Sequence, residues 1–123
     1  MSETSYRISD AEWLVMKALW QESPLTASSV IGYLKPDTDW SPKTIQTLIA
    51  RLVKKGALGV NRDANLNQYY PLVSQAECMR IETNSFLQKV YGGSLHLLLA
   101  NFVKDDKLSP KDIQELRNLL DNK

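Results

Sequence analysis

The chain has few of the residues that build metal sites, cross-links and membrane anchors. Its one cysteine, Cys78, excludes an internal disulfide and any zinc site made of several cysteines, and its one histidine, His96, excludes paired-histidine metal motifs. The first ten residues are polar, and the longest apolar stretch, near residues 95–103, is interrupted and too short to span a bilayer. We therefore expect a cytoplasmic protein that uses no metal and no cofactor.

An overall excess of charge is also missing. The chain carries 15 Lys and Arg against 14 Asp and Glu, for a net charge of +1, which argues against a basic coat that binds nucleic acid everywhere. Positive charge is instead concentrated between residues 43 and 62, where there is no carboxylate. The cations of this segment are Lys43, Arg51, Lys54, Lys55 and Arg62. An anionic partner is therefore expected to bind locally.

The same segment predicts an amphipathic helix over residues 42–55. Ser41 is a good N-cap, Pro42 suits the first helical position, and Gly56 supplies a left-handed stop. Apolar residues recur at helical spacing on one face: Ile45, Leu48, Ile49, Leu52 and Val53. The opposite face has cations but no acid, whereas an idle surface helix usually mixes both signs. This pattern predicts a recognition helix for the major groove of DNA.

Short polar side chains near the start of this helix are expected to meet base edges, and cations farther along are expected to meet phosphates. The predicted DNA contacts are Lys43, Thr44, Gln46, Thr47, Arg51, Lys54, Lys55 and Arg62.

Two shorter helices are predicted before it, over residues 10–21 and 27–34, and strand candidates follow at 57–60 and 66–73 around a turn-rich stretch. Arg62 lies at the tip of this hairpin. Three helices followed by a β-hairpin make a winged helix-turn-helix, so the predicted fold is mainly α, with a winged-helix DNA-binding domain over residues 1–73.

Residues 74–123 contain three more helical patterns, at 74–91, 94–104 and 110–121. A piece of this size buries too little of its apolar surface to be stable alone. A second copy of the chain could cover that surface, or the helices could pack back onto the winged domain. We predict a helical dimerisation domain over 74–123, because two-fold symmetry is the usual way for a small helix-turn-helix protein to gain specificity.

These residues resemble the BlaI/MecI family of penicillinase repressors, bacterial winged-helix regulators. The most specific match is Trp-Ser-Pro-Lys-Thr at residues 40–44 together with Arg-Leu at 51–52 and Lys-Lys-Gly at 54–56. Further matching segments are spread over the chain, at residues 8–13, 68–70, 90–93, 99–102 and 115–117.

The resemblance implies a homodimer that occupies a palindromic operator and blocks transcription. The residues it places at the dimer interface are Leu95, Leu98, Leu99, Phe102, Leu116 and Leu120. In family members that answer to β-lactams, a membrane sensor signals and the repressor is cut between an Asn and a Phe, which correspond to Asn101 and Phe102. Copper-responsive relatives carry a C-terminal cysteine cluster that this chain lacks.

Two alternatives remain open. The chain could be a winged-helix module that binds a protein, since fold does not fix function, or a repressor of the same family that answers to another signal. An enzyme is not expected, because no nucleophile and base can be paired from Cys78 and His96. Strong salt dependence of binding would favour DNA over a protein partner.

Overall fold

The computed structural model of the chain describes residues 7–63 and 65–121. The elements in chain order are α1 (Asp10–Gln21), β1 (Leu25–Thr26), α2 (Ala27–Leu34), α3 (Pro42–Lys55), β2 (Leu58–Asn61), β3 (Gln68–Pro71), α4 (Gln75–Tyr91), α5 (Leu95–Lys104) and α6 (Pro110–Asp121). Contacts divide the chain into a first unit that ends at Cys78 and a second that begins at Met79. The domain limits expected from the sequence, 1–73 and 74–123, stay a prediction.

Side chains just outside the helices fix where they start. The hydroxyl of Ser9 accepts the N–H of Glu12 at 3.2 Å, and the Glu12 carboxylate accepts the N–H of Ser9 at 2.9 Å. Ser41 accepts the N–H of Thr44 in the same way, at 3.2 Å. These bonds satisfy backbone donors that have no partner inside the helix. Gly56 ends α3 with φ at 87°, a conformation in which glycine carries no Cβ penalty.

The core of the first unit lies between α1, α2 and α3, and α1 and α3 contribute most of its buried side chains. The fully or almost fully buried apolar side chains are Val15, Met16, Ala18, Leu19, Val30, Leu34, Ile45, Leu48, Ile49, Leu52, Ala57, Leu58 and Cys78. Four of the five apolar residues predicted on one face of α3 are among them, and the fifth, Val53, is half-buried against the core. Burial of each large side chain stabilises the fold by about 1.5–3 kcal/mol. The apolar face therefore holds α3 in place and leaves its polar face to solvent.

A three-stranded antiparallel sheet follows the strand order β1-β3-β2. The predicted hairpin is present as β2 and β3, with Val60 opposite Tyr69. The sequence did not predict β1, whose two residues are too few to show an alternating pattern; Leu25 pairs with Tyr69 and joins the hairpin to the segment between α1 and α2. Three helices and this hairpin form a winged helix-turn-helix, so the predicted fold class is confirmed.

Within the hairpin, Gly59 lies opposite Tyr70. A Cβ placed on Gly59 would lie 2.5 Å from Cζ of the Tyr70 ring, which is closer than non-bonded carbon atoms approach. The tyrosine ring therefore covers the glycine, and this position requires a residue without a side chain.

The second unit has a different character. No described side chain from Met79 to Leu119 is buried. Among the residues predicted at a dimer interface, Leu98 and Leu99 are half-buried, and Leu95, Phe102 and Leu116 are exposed. The side chain of the sixth, Leu120, lies outside the described residues. In the described part of the chain, no helix is long and apolar enough to cross a membrane.

Candidate nucleic-acid interface

The polar face of α3 presents most of the predicted DNA contacts to solvent. The exposed side chains on this face are Lys43, Thr44, Gln46, Thr47, Ala50, Arg51 and Lys54. Because the apolar stripe of the same helix is packed into the core, the orientation of this face is fixed by burial. Packing of the core is therefore enough to orient the cationic face, and no bound partner is needed for this.

The two threonines on this face have their hydroxyl groups engaged inside the helix. Oγ1 of Thr47 donates to the carbonyl oxygen of Lys43 at 3.0 Å. Oγ1 of Thr44 lies 3.1 Å from Oγ of Ser41, and either oxygen can be the donor. Both side chains are thus held in one orientation before any partner binds.

A groove of about 360 Å³ lies between α3 and the sheet. Its lining residues are Gln46, Ala50, Val53, Lys54, Val60, Arg62 and Tyr69. The groove therefore brings together three predicted contacts, Gln46, Lys54 and Arg62, which are far apart in the sequence. Two of these are cations, and no carboxylate lines the groove. A groove of this composition suits an anionic chain such as a phosphate backbone.

Two lining residues, Val60 and Tyr69, were not singled out by the sequence. They form a directly opposed pair on β2 and β3. The period of two along each strand places them on one face once the register is known. The sequence shows each strand candidate but not the pairing that turns these side chains toward α3.

Lys55 differs from the other predicted contacts because it already has partners in the first unit. Its Nζ lies 2.5 Å from Oε1 of Glu12, and it also donates to the carbonyl oxygen of Arg7. Glu12 is only 2% exposed, whereas Lys55 keeps 32% of its side chain exposed. The pair joins the C-terminal end of α3 to the start of α1. Contact between Lys55 and DNA stays a prediction, and the structure gives this ammonium group a different role.

The surroundings of Glu12 keep its carboxyl group charged. Burial by itself raises the pKa of Glu12, but the hydrogen bond from Lys55 and the backbone hydrogen bond from Ser9 act in the opposite direction. The positive charge of Lys55 adds to their effect, and together they hold the pKa below its ordinary value of 4.5. Glu12 is therefore an anion at neutral pH and retains Lys55.

Apart from the cationic face, the thiol of Cys78 and the possible metal ligands are the candidates for catalysis or metal binding. Cys78 is buried, and burial together with the negative charge of Glu77 raises the pKa of its thiol, which disfavours the reactive thiolate. Among residues 7–63 and 65–121, no cluster of three or more His, Cys, Asp or Glu could hold a metal ion.

Comparison with known proteins decides the family. A sequence model described as penicillinase repressor matches residues 8–122. The chain belongs to the penicillinase repressor family. It is 42% identical to the methicillin resistance regulatory protein MecI of Staphylococcus aureus strain N315 over 123 residues, with both chains fully covered. It is 39% identical to the penicillinase repressor of Bacillus licheniformis over 115 residues, which cover 94% of this chain and 90% of that one.

Solved structures of the family resemble about three fifths of the chain. One is the solution structure of the DNA-binding domain of the repressor BlaI, with 39% identity and a TM-score of 0.55 over 62% of this chain and 93% of that one. Another is the monomeric form of Bacillus licheniformis BlaI in complex with the blaP half-operator, with the same identity and coverage and a TM-score of 0.54. The family is one of DNA-binding transcriptional repressors and not of enzymes.

Proposed function

We propose that this penicillinase repressor family member represses transcription by placing α3 in the major groove of an operator. One observation carries the proposal: the exposed face of α3 has cations and short polar side chains without an acid, and its apolar face is locked in the core. The structure of BlaI with a half-operator, at 39% identity to this chain, supports the same use of the fold. The protein acts in the cytoplasm, where the DNA is.

The position of each side chain suggests a division of roles. Thr44, Gln46 and Thr47 lie in the first half of α3, the part of a recognition helix that usually meets base edges. Lys54 and Arg62 both line the groove between α3 and the sheet. A phosphate backbone that enters the groove would meet both cations, and such contacts fix position without reading sequence.

We further propose that two copies join through the second unit. None of its described side chains from Met79 to Leu119 is buried, and its helices α5 and α6 carry exposed apolar residues such as Leu95, Phe102 and Leu116. A second copy would remove this apolar surface from water. A symmetric pair would place two α3 helices about one DNA turn apart on a palindromic operator.

Release of the operator by proteolysis is the proposed response to a β-lactam signal. The bond between Asn101 and Phe102 lies inside α5, and both side chains are exposed. The carbonyl oxygen of Asn101 accepts the N–H of Asp105 at 3.1 Å, so this turn must open before a protease can attack the bond. Cleavage would remove α6 and part of α5 from each chain, which would weaken the dimer and its hold on two half-sites.

The DNA-binding proposal is tested by selection of duplexes from a random pool with the full chain, followed by fluorescence anisotropy of the enriched duplex. We expect affinity to fall by roughly a hundredfold or more when salt rises about fourfold, because several phosphate contacts release counterions. Gln46→Ala should change which bases are enriched. A protein that enriches no sequence, and whose affinity for DNA is flat across this salt range, would instead be a protein-binding module.

The assembly proposal is tested by sedimentation of the Leu98→Asp/Phe102→Asp double variant. At about 100° per residue, Leu98 and Phe102 share a face with Leu95 and Leu99, whereas Leu97 lies on the opposite side of α5. The double variant should sediment as a monomer and lose operator affinity, and Leu97→Asp should remain a dimer. A double variant that stays dimeric would place the interface elsewhere.

The signalling proposal predicts a fragment that ends at Asn101. Cells that contain the chain and its sensor pathway would be treated with a β-lactam, and the repressor would be analysed by mass spectrometry. An intact chain in treated cells whose repression is relieved would show that another signal or mechanism operates.

A further inference from the structure

On the exposed face of α3, the hydroxyl of Thr47 already donates a hydrogen bond within the helix, whereas its methyl group takes no part in that bond. We propose that Thr47 determines specificity through its methyl group, which contacts the C5-methyl group of a thymine in each half-site, and not through its hydroxyl. The inference rests on the proposed use of α3 in the major groove.

The hydrogen bond inside the helix is the first reason. Oγ1 of Thr47 donates to the carbonyl oxygen of Lys43 at 3.0 Å, one turn earlier. A threonine hydroxyl has a single proton, so none is left to donate to the acceptors that purines and thymine display in the major groove. The same bond restricts rotation about χ1. The oxygen can then only accept, from the amino group of an adenine or a cytosine, whereas the methyl on Cβ can contact a thymine.

The neighbours of Thr47 are the second reason. Residues three and four positions apart adjoin each other on a helix, so Thr47 lies between Lys43 on one side and Ala50 and Arg51 on the other. Ala50 is exposed and adds a second methyl group to this strip. The two cations can hold the helix against the DNA, which would bring the small apolar groups between them close to the base edges.

The chemistry of the major groove supplies the matching partner. The C5-methyl of thymine is the apolar group that base pairs display there, and threonine methyls and alanine are among its known contacts. The other threonine of this face fits the same picture, since the hydroxyl of Thr44 is shared with Ser41 at 3.1 Å. Hydrogen-bonded base readout is left to longer side chains of the face, such as Gln46 and Arg51.

The test uses the full chain and the duplex enriched from the random pool, in which each thymine is replaced in turn by uracil, which lacks only the methyl. We expect one thymine in each half-site at which uracil weakens binding by about fourfold, the effect of exposing one methyl-sized apolar group. Thr47→Val, which keeps a methyl at the same place, should retain this preference. Thr47→Ser, which keeps the hydroxyl, should bind thymine and uracil duplexes equally.

Thr47→Ser and the change of thymine to uracil both remove the same methyl–methyl contact. Their losses in affinity should therefore not add. Thr38→Ser is the matched control: its hydroxyl also donates to a carbonyl four residues earlier, that of Leu34 at 3.1 Å, but it lies outside α3. This variant should keep the full preference for thymine.

Three results would overturn the inference. Uracil could leave affinity unchanged at every position, Thr47→Ser could keep the preference while Thr47→Val loses it, or the two losses could add. Failure to enrich any sequence would overturn the proposed function together with this inference. An enriched duplex that is indifferent to uracil would overturn the inference alone.

Discussion

The same substitution at two neighbouring lysines at the end of α3 should affect two different properties of the protein. Lys54 is exposed and lines the groove beside the sheet, whereas Lys55 is bound to Glu12 and to the carbonyl oxygen of Arg7. Replacement by methionine removes the charge from either side chain and keeps much of its length. We expect Lys54→Met to weaken DNA binding and Lys55→Met to weaken the fold.

The magnitude for Lys55→Met follows from the exposure of its partner. Glu12 is 2% exposed and would be left in the core without its cation, while Lys55 itself is 32% exposed. Loss of one partner costs about 3–5 kcal/mol in a buried pair, and an exposed pair contributes at most about 1 kcal/mol. The free energy of unfolding should therefore fall by about 2 kcal/mol. Lys54→Met should change it by no more than about 0.5 kcal/mol, as is usual for surface substitutions.

Urea unfolding followed by tryptophan fluorescence measures the free energy of unfolding of the first unit, because all three tryptophans lie in it: Trp13, Trp20 and Trp40. DNA binding is measured by anisotropy over a range of salt. Lys54→Met should reduce the slope of log affinity against log salt by about one for each subunit. Lys55→Met should leave this slope unchanged under conditions where the variant is folded.

A double variant separates the ion pair from other effects of the change. Glu12→Gln/Lys55→Met has no buried charge to strand, so it should recover part of the stability lost in Lys55→Met. Normal stability of Lys55→Met, combined with a reduced salt slope, would refute the reasoning and return Lys55 to the set of phosphate contacts.

Three further predictions concern the first unit. Gly59→Ala should lower the melting temperature, because its Cβ would lie 2.5 Å from the Tyr70 ring, and Gly59→Ala/Tyr70→Ala should lose less than the sum of the two single variants. Since the pKa of Glu12 is lowered by folding, its contribution to stability is present above about pH 4.5 and is lost as pH falls through the lowered value; urea midpoints of Glu12→Gln should decline less over that range. Trp20→Phe should cost about 1 kcal/mol, because it removes the 2.9 Å bond from Nε1 to the Val73 carbonyl oxygen and leaves a half-buried acceptor; an unchanged urea midpoint would contradict this role.

Local signals in the sequence were sufficient for the helices of the first unit. The start of α3 at Pro42 and its stop at Gly56 agree with the structure because a cap and a glycine act on backbone groups within a few residues. The burial of Ile45, Ile49 and Leu52 likewise follows from their spacing on one face. The resemblance to the family rests on the same kind of local pattern, distributed over the whole chain.

These local patterns do not predict which residues far apart in the sequence become partners. Lys55 reads as one of several cations in the sequence, yet its partner Glu12 is 43 positions away, and nothing in the spacing of either residue reveals the other. The groove between α3 and the sheet has the same origin, since Arg62 and Tyr69 come to line one groove with Gln46 only when β2 and β3 pair and pack beside α3.

The amino-acid order alone thus specified which stretches become helices, which face of α3 is polar, and which family the chain resembles, because these depend on neighbours along the chain and on residue period. The tertiary structure decided individual partners: it paired Lys55 with Glu12, brought Lys54 and Arg62 to one groove, and added β1 to the hairpin. Such partners depend on distances and bond directions that exist only after the elements have packed.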